Sequence, residues 1–591
     1  MKKACVLIAL YPSITWALQG VFLWPIPQTV ESGNVDLNLD VPFKINAPKE
    51  LDDAVSRYTQ LISHEQWNPV QTPNPYVDSE AYVAGQRRVM VAGSTLKSLE
   101  VTVNDVTKDL EFGVDESYVL KVDGARGKAI LQSPTVWGAL HGLETFSQLV
   151  QARSFDENTP IQDYNGDDIQ PDSNKEVDLF IPETPIHIHD APAFSHRGLM
   201  LDTARNYFPV FHWHITDSQS FPLRLENSPE LAQHGAYVLN SRRYVYNKDD
   251  IQRIVQYARA RGIRVIPEID MPAHTASWGL AHKDITTCLG RFFLDESNKW
   301  SERYAAEPTT GQLNPITNKT YEVVNKVISE VASLFPDAWF HGGGDEPVYK
   351  CWEEEESVRD YMQEHGAAGD DLLHMFLDKE IGFIQDNKKT AILWEDSVTN
   401  NNLPIPKNVV LQVWANAVSE AAKKGYKVIA SHANFWYLDC GHGGWTGNDT
   451  SYDEQTQPKI PESLAKELER HQLTDNYRPS NWGGSGGDWC GPFKSWQRIY
   501  SYDMTYNLTP EEAKNVLGGE VALWAEQTDH ISLDGRLWPR SAAAAEVMWS
   551  GRRDKNQQQR DLGDAMLRIF DWRYRLLKRG IGAEALQPLW W

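Results

Sequence analysis

Beyond Phe194, short apolar segments alternate with helical patterns, and this alternation most limits what the chain can fold into. A strand begins near Phe211, and the other predicted strands are Gly198–Leu201, Val265–Ile269, Trp339–His341, Ala391–Trp394, Val409–Trp414, Val428–Ser431 and Val521–Trp524. The helical patterns between them include Ile251–Ala260, Tyr321–Leu334 and Pro510–Val516. Strands and helices that alternate in this way assemble into a parallel sheet, so the sequence predicts an α/β fold, a (β/α)8 TIM barrel.

Polar and aromatic side chains recur where the predicted strands end. They are Asp202, Asp270, Asp345, Glu346, Trp394, Glu395, Trp414, Trp524 and Glu526. In a parallel barrel the carboxyl ends of all strands meet at one face, and active sites lie at that face. Strands with a purely structural role do not need such residues there, so the pattern predicts a functional site.

The stretch from His341 to Glu346, His-Gly-Gly-Gly-Asp-Glu, places two adjacent carboxylates directly after the apolar run 338–340. A solvated acidic pair that opens a helix at Pro347 would also explain them, because anions are favoured at a helix N-terminus. The glycines favour a chemical role, since a backbone without side chains lets a ligand approach closely. Asp345 and Glu346 are therefore the candidate catalytic acids.

A chain of 591 residues with 41% hydrophobic content is longer than one core normally uses, so we expect two domains. Alternating segments such as Lys97–Val103 and the helical stretch Thr135–Gln151 predict a small α+β domain before the barrel. This part of the chain shows no paired acids and no nucleophile. We place the boundary near Ala191-Pro192, which gives a non-catalytic domain over residues 19–190 and a catalytic domain over residues 191–591.

The N-terminus indicates secretion. Lys2-Lys3 precede the apolar run Ala4–Leu10, and Thr15-Trp16-Ala17 offers a cleavage position, so residues 1–18 are predicted to be a signal peptide. Once Cys5 is removed, the remaining cysteines can form two disulfides in an oxidising compartment, with the pairing open: Cys288, Cys351, Cys440 and Cys490. Glycosylation would be expected on that route at Asn318, Asn448 and Asn507.

Composition limits the partners. The formal net charge of -24 argues against nucleic acid and against an anionic membrane surface. No segment after the N-terminus is long and apolar enough to span a bilayer. Many of the 22 tryptophans stand beside Gly, Asp, Glu or His, as aromatic platforms for sugars do.

The order of these motifs resembles glycoside hydrolase family 20, the β-N-acetylhexosaminidases, and in particular its secreted fungal members. The matching segments are Trp24–Pro27, His196–Arg205, Phe211–Asp217, Glu268–His274, the Gly-Gly-Asp-Glu core, Trp436–Asp439 and Gly518–Glu526. The resemblance covers nearly the whole chain. It implies an exo-acting enzyme that removes terminal β-linked N-acetylglucosamine or N-acetylgalactosamine, with chitin oligosaccharides as a substrate class. A homodimer is compatible with it, because many relatives dimerise.

In this family the substrate's own 2-acetamido carbonyl is the nucleophile. This agrees with the adjacency of the two acids, which cannot flank a glycosidic bond as the separated acid and nucleophile of an ordinary retaining enzyme do. The resemblance implies that Glu346 is the general acid and then the base. It implies that Asp345 holds the acetamido N–H and stabilises positive charge, and that Tyr437 donates a hydrogen bond to the acetamido oxygen.

The resemblance assigns further roles to residues that could otherwise be core aromatics or ion pairs at the barrel rim. The implied sugar-enclosing walls are Trp394, Trp414 and Trp524, with Trp496 as a further wall. The implied hydroxyl-binding residues are Arg205, Asp439 and Glu526. Asp217 and His274 match a dyad that orients and tunes Glu346. Neither a metal nor an organic cofactor is implied, because nothing completes a ligand set around His212, His214, His274 and Asp270.

One departure concerns the start of the barrel. Only eleven residues separate Arg205 from Asp217, fewer than in the family pattern. Parallel neighbours usually need a crossover of about a dozen or more residues, so the first barrel helix is predicted to be deleted and the first two strands to pack abnormally. A coding segment mistaken for an intron, or alternative splicing, would explain the deletion.

Two alternative functions follow from these observations. The shortened barrel raises the alternative of a catalytically impaired form that only binds glycans. An endo-acting chitinase is the other alternative, although the spaced acidic motif of that barrel family is absent.

Overall fold

The computed structural model describes residues 22–68, 89–123, 127–153, 178–201, 210–297, 300–442, 466, 490 and 493–587. The first part is a six-stranded sheet flanked by two helices, Asp52–Glu65 and Val136–Leu149. Its strands are β1 Thr29–Asn46, β2 Val89–Asp105, β3 Tyr118–Asp123, β4 Lys128–Thr135, β5 Gln151–Arg153 and β6 Asp178–Asp190. Their order in the sheet is β1-β2-β4-β3-β6-β5, and β1 also pairs with β6.

The second helix of this first part begins one residue later than the sequence predicts. Thr135 is its N-cap, because its side chain accepts a hydrogen bond from the backbone N–H of Gly138. The helix buries Leu143 and Phe146 in the core of the sheet. Since β6 ends at Asp190 and the next strand begins at His196, we place the domain boundary between them.

The remaining strands are β7 His196–Leu201, β8 Val210–Thr216, β9 Val238–Leu239, β10 Arg242–Arg243, β11 Arg264–Met271, β12 Thr286–Thr287, β13 Gln312–Leu313, β14 Trp339–Gly343, β15 Thr390–Trp394, β16 Val410–Val413, β17 Lys427–Ala430 and β18 Val516–Leu523. Eight of them pair in parallel and close into a barrel in the order β11-β14-β15-β16-β17-β18-β7-β8. The predicted TIM barrel is confirmed. The short strands β9 with β10 and β12 with β13 form two antiparallel ladders outside it.

The α-helices of the barrel part are Pro229–Gly235, Lys248–Arg259, Ala276–Gly279, Asn318–Leu334, Tyr349–Glu353, Glu356–His365, Gly369–Asp386, Asp396–Thr399, Val418–Lys423, Ala433–Trp436, Trp496–Ser501, Pro510–Ala513, Leu533–Leu537, Arg540–Ser550 and Leu562–Lys578. Short 3-10 turns occur at Lys49–Leu51, Lys283–Ile285 and Trp300–Glu302. The predicted helix Pro510–Val516 is too long, because Val516 pairs with Val428 and already belongs to β18.

The first two barrel strands pack normally, so the contrary expectation is wrong. Gly198 pairs with Val210 and Leu201 with Trp213, while β18 and β11 pair with the outer edges of the two strands. Residues 202–209, which join them along the chain, lie outside the described part. The prediction that the first helix is deleted rests on chain length and is unchanged.

An aromatic side chain from the domain that precedes the barrel packs at the amino-terminal end of the barrel. Phe112 packs against Trp339 with a ring-centroid distance of 4.5 Å, in a cluster with Val210, Ile266 and Ile392 near the starts of their strands. The guanidinium of Arg264 lies 5.0 Å from the Trp339 ring centroid. Among the described residues, this cluster fills the barrel interior near the amino-terminal ends of these strands.

Two disulfides are present, as the sequence predicts. Cys288 pairs with Cys351 and Cys440 with Cys490. The first ties the chain after β11 to the helix that follows Glu346, and the second lies directly after Asp439. None of the described helices is long and apolar enough to cross a membrane.

Candidate active site

The two candidate acids follow β14 in a turn that requires glycine. Gly343 and Gly344 have φ angles of 78° and 94°, and a Cβ atom on Gly343 would lie 1.8 Å from Oδ1 of Asp270. Oδ1 of Asp270 instead accepts a hydrogen bond from the backbone N–H of Gly344 at 3.2 Å. Glu346 itself has a φ of 51°, an unfavourable backbone conformation of the kind found at functional sites.

His274 connects both acids with two further carboxylates. Its Nε2 lies 3.5 Å from Oε2 of Glu346 and 3.9 Å from Oδ2 of Asp345. Its Nδ1 lies 3.2 Å from Oδ1 of Asp217 and 3.2 Å from Oε1 of Glu307. The predicted dyad of Asp217 and His274 is thus brought together with Glu346. Glu307 was missed, because it stands in a loop without a motif and only the fold brings it here.

The charges in this group are mutually dependent. Burial lowers the pKa of His274, but Asp217, Asp270 and Glu307 together outweigh burial and raise this pKa well above its usual value. The pKa of Asp217 would be raised by burial, yet the His274 charge holds it well below its usual range. Burial and the Asp217 charge raise the pKa of Glu307 to about 8. Near neutral pH the arrangement is therefore an imidazolium between an ionised Asp217 and a protonated Glu307.

Asp345 lies deeper than Glu346 and is almost fully buried. Burial raises the pKa of Asp345 to about 6, and the neighbouring Glu346 acts in the same direction, while the His274 charge and a hydrogen bond with Asp270 oppose them. Burial and the Asp345 charge raise the pKa of Asp270 well above its usual range. Asp270 therefore keeps its proton, so that Asp345 carries the negative charge of this pair above about pH 6.

Four aromatic rings converge at or after the ends of four other strands, β15, β16, β17 and β18. The ring centroids of Trp394 and Trp524 lie 6.0 Å apart, and those of Tyr437 and Trp524 lie 6.1 Å apart. Trp414 stacks on Tyr437 at 6.3 Å with an interplanar angle of 15°. The three predicted walls and the predicted tyrosine thus form one aromatic enclosure.

Buried carboxylates hold two of these rings in place. Nε1 of Trp394 donates to Oε1 of Glu268 at 2.8 Å, and Nε1 of Trp414 donates to Oδ2 of Asp396 at 2.7 Å. Glu395, predicted only as a polar strand end, accepts hydrogen bonds from the backbone N–H groups of Trp414, Ala415 and Asn416. Its role in the fold is to fix the loop that carries Trp414.

The loop after β17 is joined to the end of β18. The backbone N–H of Leu438 donates to the carbonyl of Ala522 at 2.8 Å, and the N–H of Trp524 donates to Oδ1 of Asp439 at 3.4 Å. Burial raises the pKa of Asp439 to about 6, and burial together with the Asp439 charge raises the pKa of Glu526 well above its usual range. The two predicted hydroxyl-binding acids therefore interact with each other. Asp202 and Arg205 lie outside the described residues.

Comparison with known proteins identifies the family. The model of the glycosyl hydrolase family 20 catalytic domain matches residues 194–552, and a model described as beta-acetyl hexosaminidase like matches residues 23–149. The chain belongs to glycosyl hydrolase family 20.

Individual relatives agree with this family 20 assignment. The beta-hexosaminidase of Emericella nidulans is 36% identical over 603 residues, covering 95% of this chain and 92% of its own. The chitooligosaccharidolytic beta-N-acetylglucosaminidase of Ostrinia furnacalis is 32% identical over 537 residues, covering 85% of this chain and 78% of its own. The family 20 exo beta-N-acetylglucosaminidase of Vibrio harveyi, solved with N-acetylglucosamine, has the same fold with a TM-score of 0.65 at 21% identity, covering 95% of this chain and 78% of that chain.

Trp496 is the further wall predicted for this family 20 chain, and its contacts are those of a core residue. Trp496 is buried in the main core, where its ring centroid lies 6.4 Å from that of Tyr500. Within the described part of the chain, its ring makes no aromatic contact with Trp394, Trp414, Tyr437 or Trp524. These contacts support a packing role, so Trp496 as a sugar wall stays a prediction.

Below the site, the family 20 barrel contains a buried network of histidines and acids that sequence analysis missed. Glu268 contacts His214 at 2.6 Å, His212 at 3.1 Å and His341 at 3.1 Å. Glu520 contacts His212 at 2.7 Å and His196 at 3.0 Å. Despite burial, these two carboxylates raise the pKa of His212 to about 9.

This network also bears on metal binding. Ligand atoms of His212, Glu268 and His341 lie within 4.8 Å of one another. Imidazole–carboxylate interactions with a buried negative charge account for this proximity without an ion. The alternation of His212 and His214 along β8, together with acids on neighbouring strands, is the only signal that could have revealed the network in the sequence.

Proposed function

We propose that this family 20 chain is an exo-acting β-N-acetylhexosaminidase that removes terminal non-reducing N-acetyl-β-D-glucosamine or N-acetyl-β-D-galactosamine. One observation supports this most: Asp345 and Glu346 approach the same Nε2 of His274, and the aromatic enclosure stands at the same end of the barrel. Two acids on one side of a site cannot act as acid and nucleophile on opposite faces of a sugar ring. The substrate must therefore supply the nucleophile, and the enclosure suits an acetamido group.

The reaction follows from the positions of the acids. Glu346 gives its proton to the glycosidic oxygen while the acetamido oxygen attacks the anomeric carbon, so the bond to the leaving group breaks and an oxazolinium ion forms. Glu346 then takes a proton from a water molecule that attacks the anomeric carbon. This attack opens the oxazolinium ring, and the configuration at the anomeric carbon is retained overall. The Asp345 carboxylate accepts a hydrogen bond from the acetamido N–H and stabilises the positive charge that develops on this group. Tyr437 donates to the acetamido oxygen and aims it at the anomeric carbon.

His274 is a positioning residue in this proposal. Its charge favours the ionised form of Asp345, and its contact with Glu346 orients the acid toward the leaving oxygen. Asp217 and Glu307 hold the imidazole from the other side. Trp394, Trp414 and Trp524 exclude water from the acetamido group, while Asp439, Glu526 and Arg205 bind sugar hydroxyls.

The substrate class and compartment are part of the same proposal. Chitin oligosaccharides fit the resemblance and the similarity to the chitooligosaccharidolytic enzyme of Ostrinia furnacalis. Secretion after removal of residues 1–18 fits the two disulfides. Asn318 and Asn507 are exposed, as glycosylated asparagines must be, whereas Asn448 and the signal segment lie outside the described residues. We propose a homodimer, with no nucleic acid or membrane partner.

The test is product analysis on a chitin tetrasaccharide. Release of single N-acetylglucosamine units from the non-reducing end, first observed by NMR as the β anomer, is the expected result. Early release of longer oligomers would favour an endo-acting enzyme. Tight binding of an oxazoline-like inhibitor without any hydrolysis would favour the catalytically impaired, glycan-binding form that the shortened first crossover suggests.

A further inference from the structure

Glu268 on β11 is a buried acid to which the proposed reaction gives no role. Its side chain is fully buried, and its two carboxylate oxygens have different partners. Oε2 lies 2.6 Å from Nδ1 of His214, whereas Oε1 accepts a hydrogen bond from Nε1 of Trp394 at 2.8 Å. Two separate lines of contact therefore start at one carboxylate.

The first line of contact leads to the proposed general acid. Nε2 of His214 lies 3.2 Å from Oδ2 of Asp217, and the other oxygen of Asp217 lies 3.2 Å from Nδ1 of His274. Nε2 of the same imidazole then lies 3.5 Å from Oε2 of Glu346. Side chains alone make up this path, so the position of His214 bears on the direction in which Glu346 points.

The charges along this line alternate in sign. Burial lowers the pKa of His214, but the carboxylates of Glu268 and Asp217 outweigh burial and raise this pKa well above its usual value. Burial raises the pKa of Glu268, yet the neighbouring imidazoles, that of His341 first, hold it well below its usual range. Ionised partners form short and strong hydrogen bonds, so the contact between Glu268 and His214 fixes the imidazole firmly.

The second line of contact leads to the aromatic enclosure. The indole of Trp394 has a single N–H donor, and that donor is bound by Oε1 of Glu268. The bond fixes the rotation of the ring, whose centroid lies 6.0 Å from that of Trp524. Trp394 encloses the acetamido group in the proposed reaction, so Glu268 also determines the shape of that pocket.

Neutralisation of buried imidazoles explains only the first line. A carboxylate at the position of Glu268 offsets the charge of His214 and also lies 3.1 Å from His212, but this requires no bond to an indole. Glu520 offers the comparison, because it is equally buried and lies 2.7 Å from His212 and 3.0 Å from His196. Among the described residues, its carboxylate accepts no hydrogen bond from a tryptophan or from the proposed catalytic groups.

We propose that Glu268 is a positioning residue that couples the general acid to the acetamido pocket. Through His214, one of its oxygens sets the direction of Glu346, while the other oxygen sets the wall formed by Trp394. The acid and the acetamido oxygen act on the same glycosidic bond, so the two groups must be aligned with each other. This inference rests on the proposed function, because it takes Glu346 as the acid.

The test uses two ratios, each measured on one enzyme preparation so that the amount of folded protein cancels. The leaving-group ratio is kcat/KM for 4-nitrophenyl N-acetylglucosaminide divided by kcat/KM for the chitin disaccharide, whose leaving oxygen needs the proton from Glu346. The acyl ratio is kcat/KM for the same nitrophenyl substrate divided by that for its N-propionyl analogue. A misplaced acid raises the first ratio, and a loosened pocket lowers the second.

Each line of contact has its own variant. Asp217→Asn interrupts the first line, and Trp394→Phe removes the donor of the second. His214 is not replaced, because its ring also packs against Trp524 of the enclosure at 4.9 Å.

We expect Glu268→Gln to raise the leaving-group ratio and to lower the acyl ratio, each by about three- to tenfold. Asp217→Asn should change only the first ratio, and Trp394→Phe only the second. In the Asp217→Asn background, Glu268→Gln should leave the leaving-group ratio unchanged and still lower the acyl ratio, because the first line is already interrupted there.

Glu520→Gln is the matched control, since it removes a buried carboxylate from the same network, and it should leave both ratios as in the parent. Ratios that Glu268→Gln does not change, or equal changes in Glu520→Gln, would overturn the coupling. If Glu268→Gln does not fold, Glu268→Asp decides by the same two ratios, because it keeps the charge but is one methylene group too short for both contacts. A parent that cleaves neither nitrophenyl substrate nor the disaccharide would instead overturn the proposed function.

Discussion

Nε2 of His274 lies 3.5 Å from Oε2 of Glu346, although 71 residues separate them along the chain and they follow different strands of the barrel. The same imidazole is held through Nδ1 by Asp217 and Glu307. A cation fixed in this way can orient the acid and stabilise negative charge on its neighbour Asp345. The catalytic proposal therefore depends on a network that spans three loops rather than on the Asp-Glu pair alone.

Replacing the proposed acid should abolish turnover while substrate still binds. For Glu346→Gln we expect kcat on a chitin disaccharide to fall by about 10²–10⁴, because the amide cannot give a proton to the leaving oxygen. The loss should be smaller for a 4-nitrophenyl glycoside, whose leaving group needs little protonation. Glu356→Gln, at an exposed helix position, is the control. Undiminished hydrolysis of the disaccharide by Glu346→Gln would exclude this residue as the acid.

Asp345→Asn should affect the step in which the acetamido group attacks. The neutral amide cannot stabilise the oxazolinium charge, so we expect kcat/KM to fall by about 10²–10³. The parent should cleave an aryl glucoside that lacks the acetamido group far more slowly than the matched N-acetylglucosaminide. Equal rates on these two substrates would contradict substrate-assisted catalysis.

His274→Gln should change the pH dependence as well as the rate. The His274 charge lowers the pKa of Asp345, which is about 6, so removal of that charge raises the pKa of Asp345 and the carboxylate forms only at higher pH. We therefore expect the acid limb of the kcat profile to move to higher pH, with kcat about 10–100-fold lower at its maximum. His282→Gln, whose imidazole contacts Glu230 away from the site, should keep the parent profile. An unshifted acid limb in His274→Gln would reduce the residue to a packing role.

A buried acid outside the site should make stability depend on pH. Glu380 lies in the helix Gly369–Asp386, fully buried against Gly342, and neither of its carboxyl oxygens has a hydrogen-bond partner among the described residues. Burial raises the pKa of Glu380 well above its usual range. Because the pKa of Glu380 is raised in the folded state, its contribution to the free energy of unfolding is fully present below the unfolded-state pKa of about 4.3. That contribution is lost as the pH rises toward the folded-state pKa.

Glu380→Met should therefore stabilise the protein at high pH more than at low pH. We expect about 1–3 kcal/mol of added unfolding free energy at pH 8 and less at pH 5, measured by urea denaturation at both values. Asp378→Asn, exposed on the same helix, should show no such difference. A stabilisation that is equal at the two pH values would mean that Glu380 does not titrate in this range.

The junction between β7 and β8 can be examined in protein purified from its source. Peptide mapping by mass spectrometry should recover either the peptide that joins Val210 to Phe211 as written or a longer one. We expect the longer peptide, because a missing coding segment explains why the flanking motifs are intact. The peptide as written, found in an active enzyme, would show that a barrel without its first helix is sufficient for catalysis.

The sequence alone predicted the TIM barrel, the preceding α+β domain and the two acids. Alternation of apolar and helical segments is a local pattern, and the acids stand in a motif whose glycines follow a buried strand. Trp394 and Trp414 could be placed because the first ends a strand and the second follows one, and strand ends share one face of the barrel.

Only the tertiary structure decided which side chains meet. Glu307 reaches His274 from a loop, and Glu268 and Glu520 meet histidines of other strands. The closure of β7 against β8 also depended on hydrogen bonds from β18 and β11, which hold both strands from outside. Such contacts join residues distant in the chain, and their energies depend on burial and on neighbouring charges, which no local sequence pattern specifies.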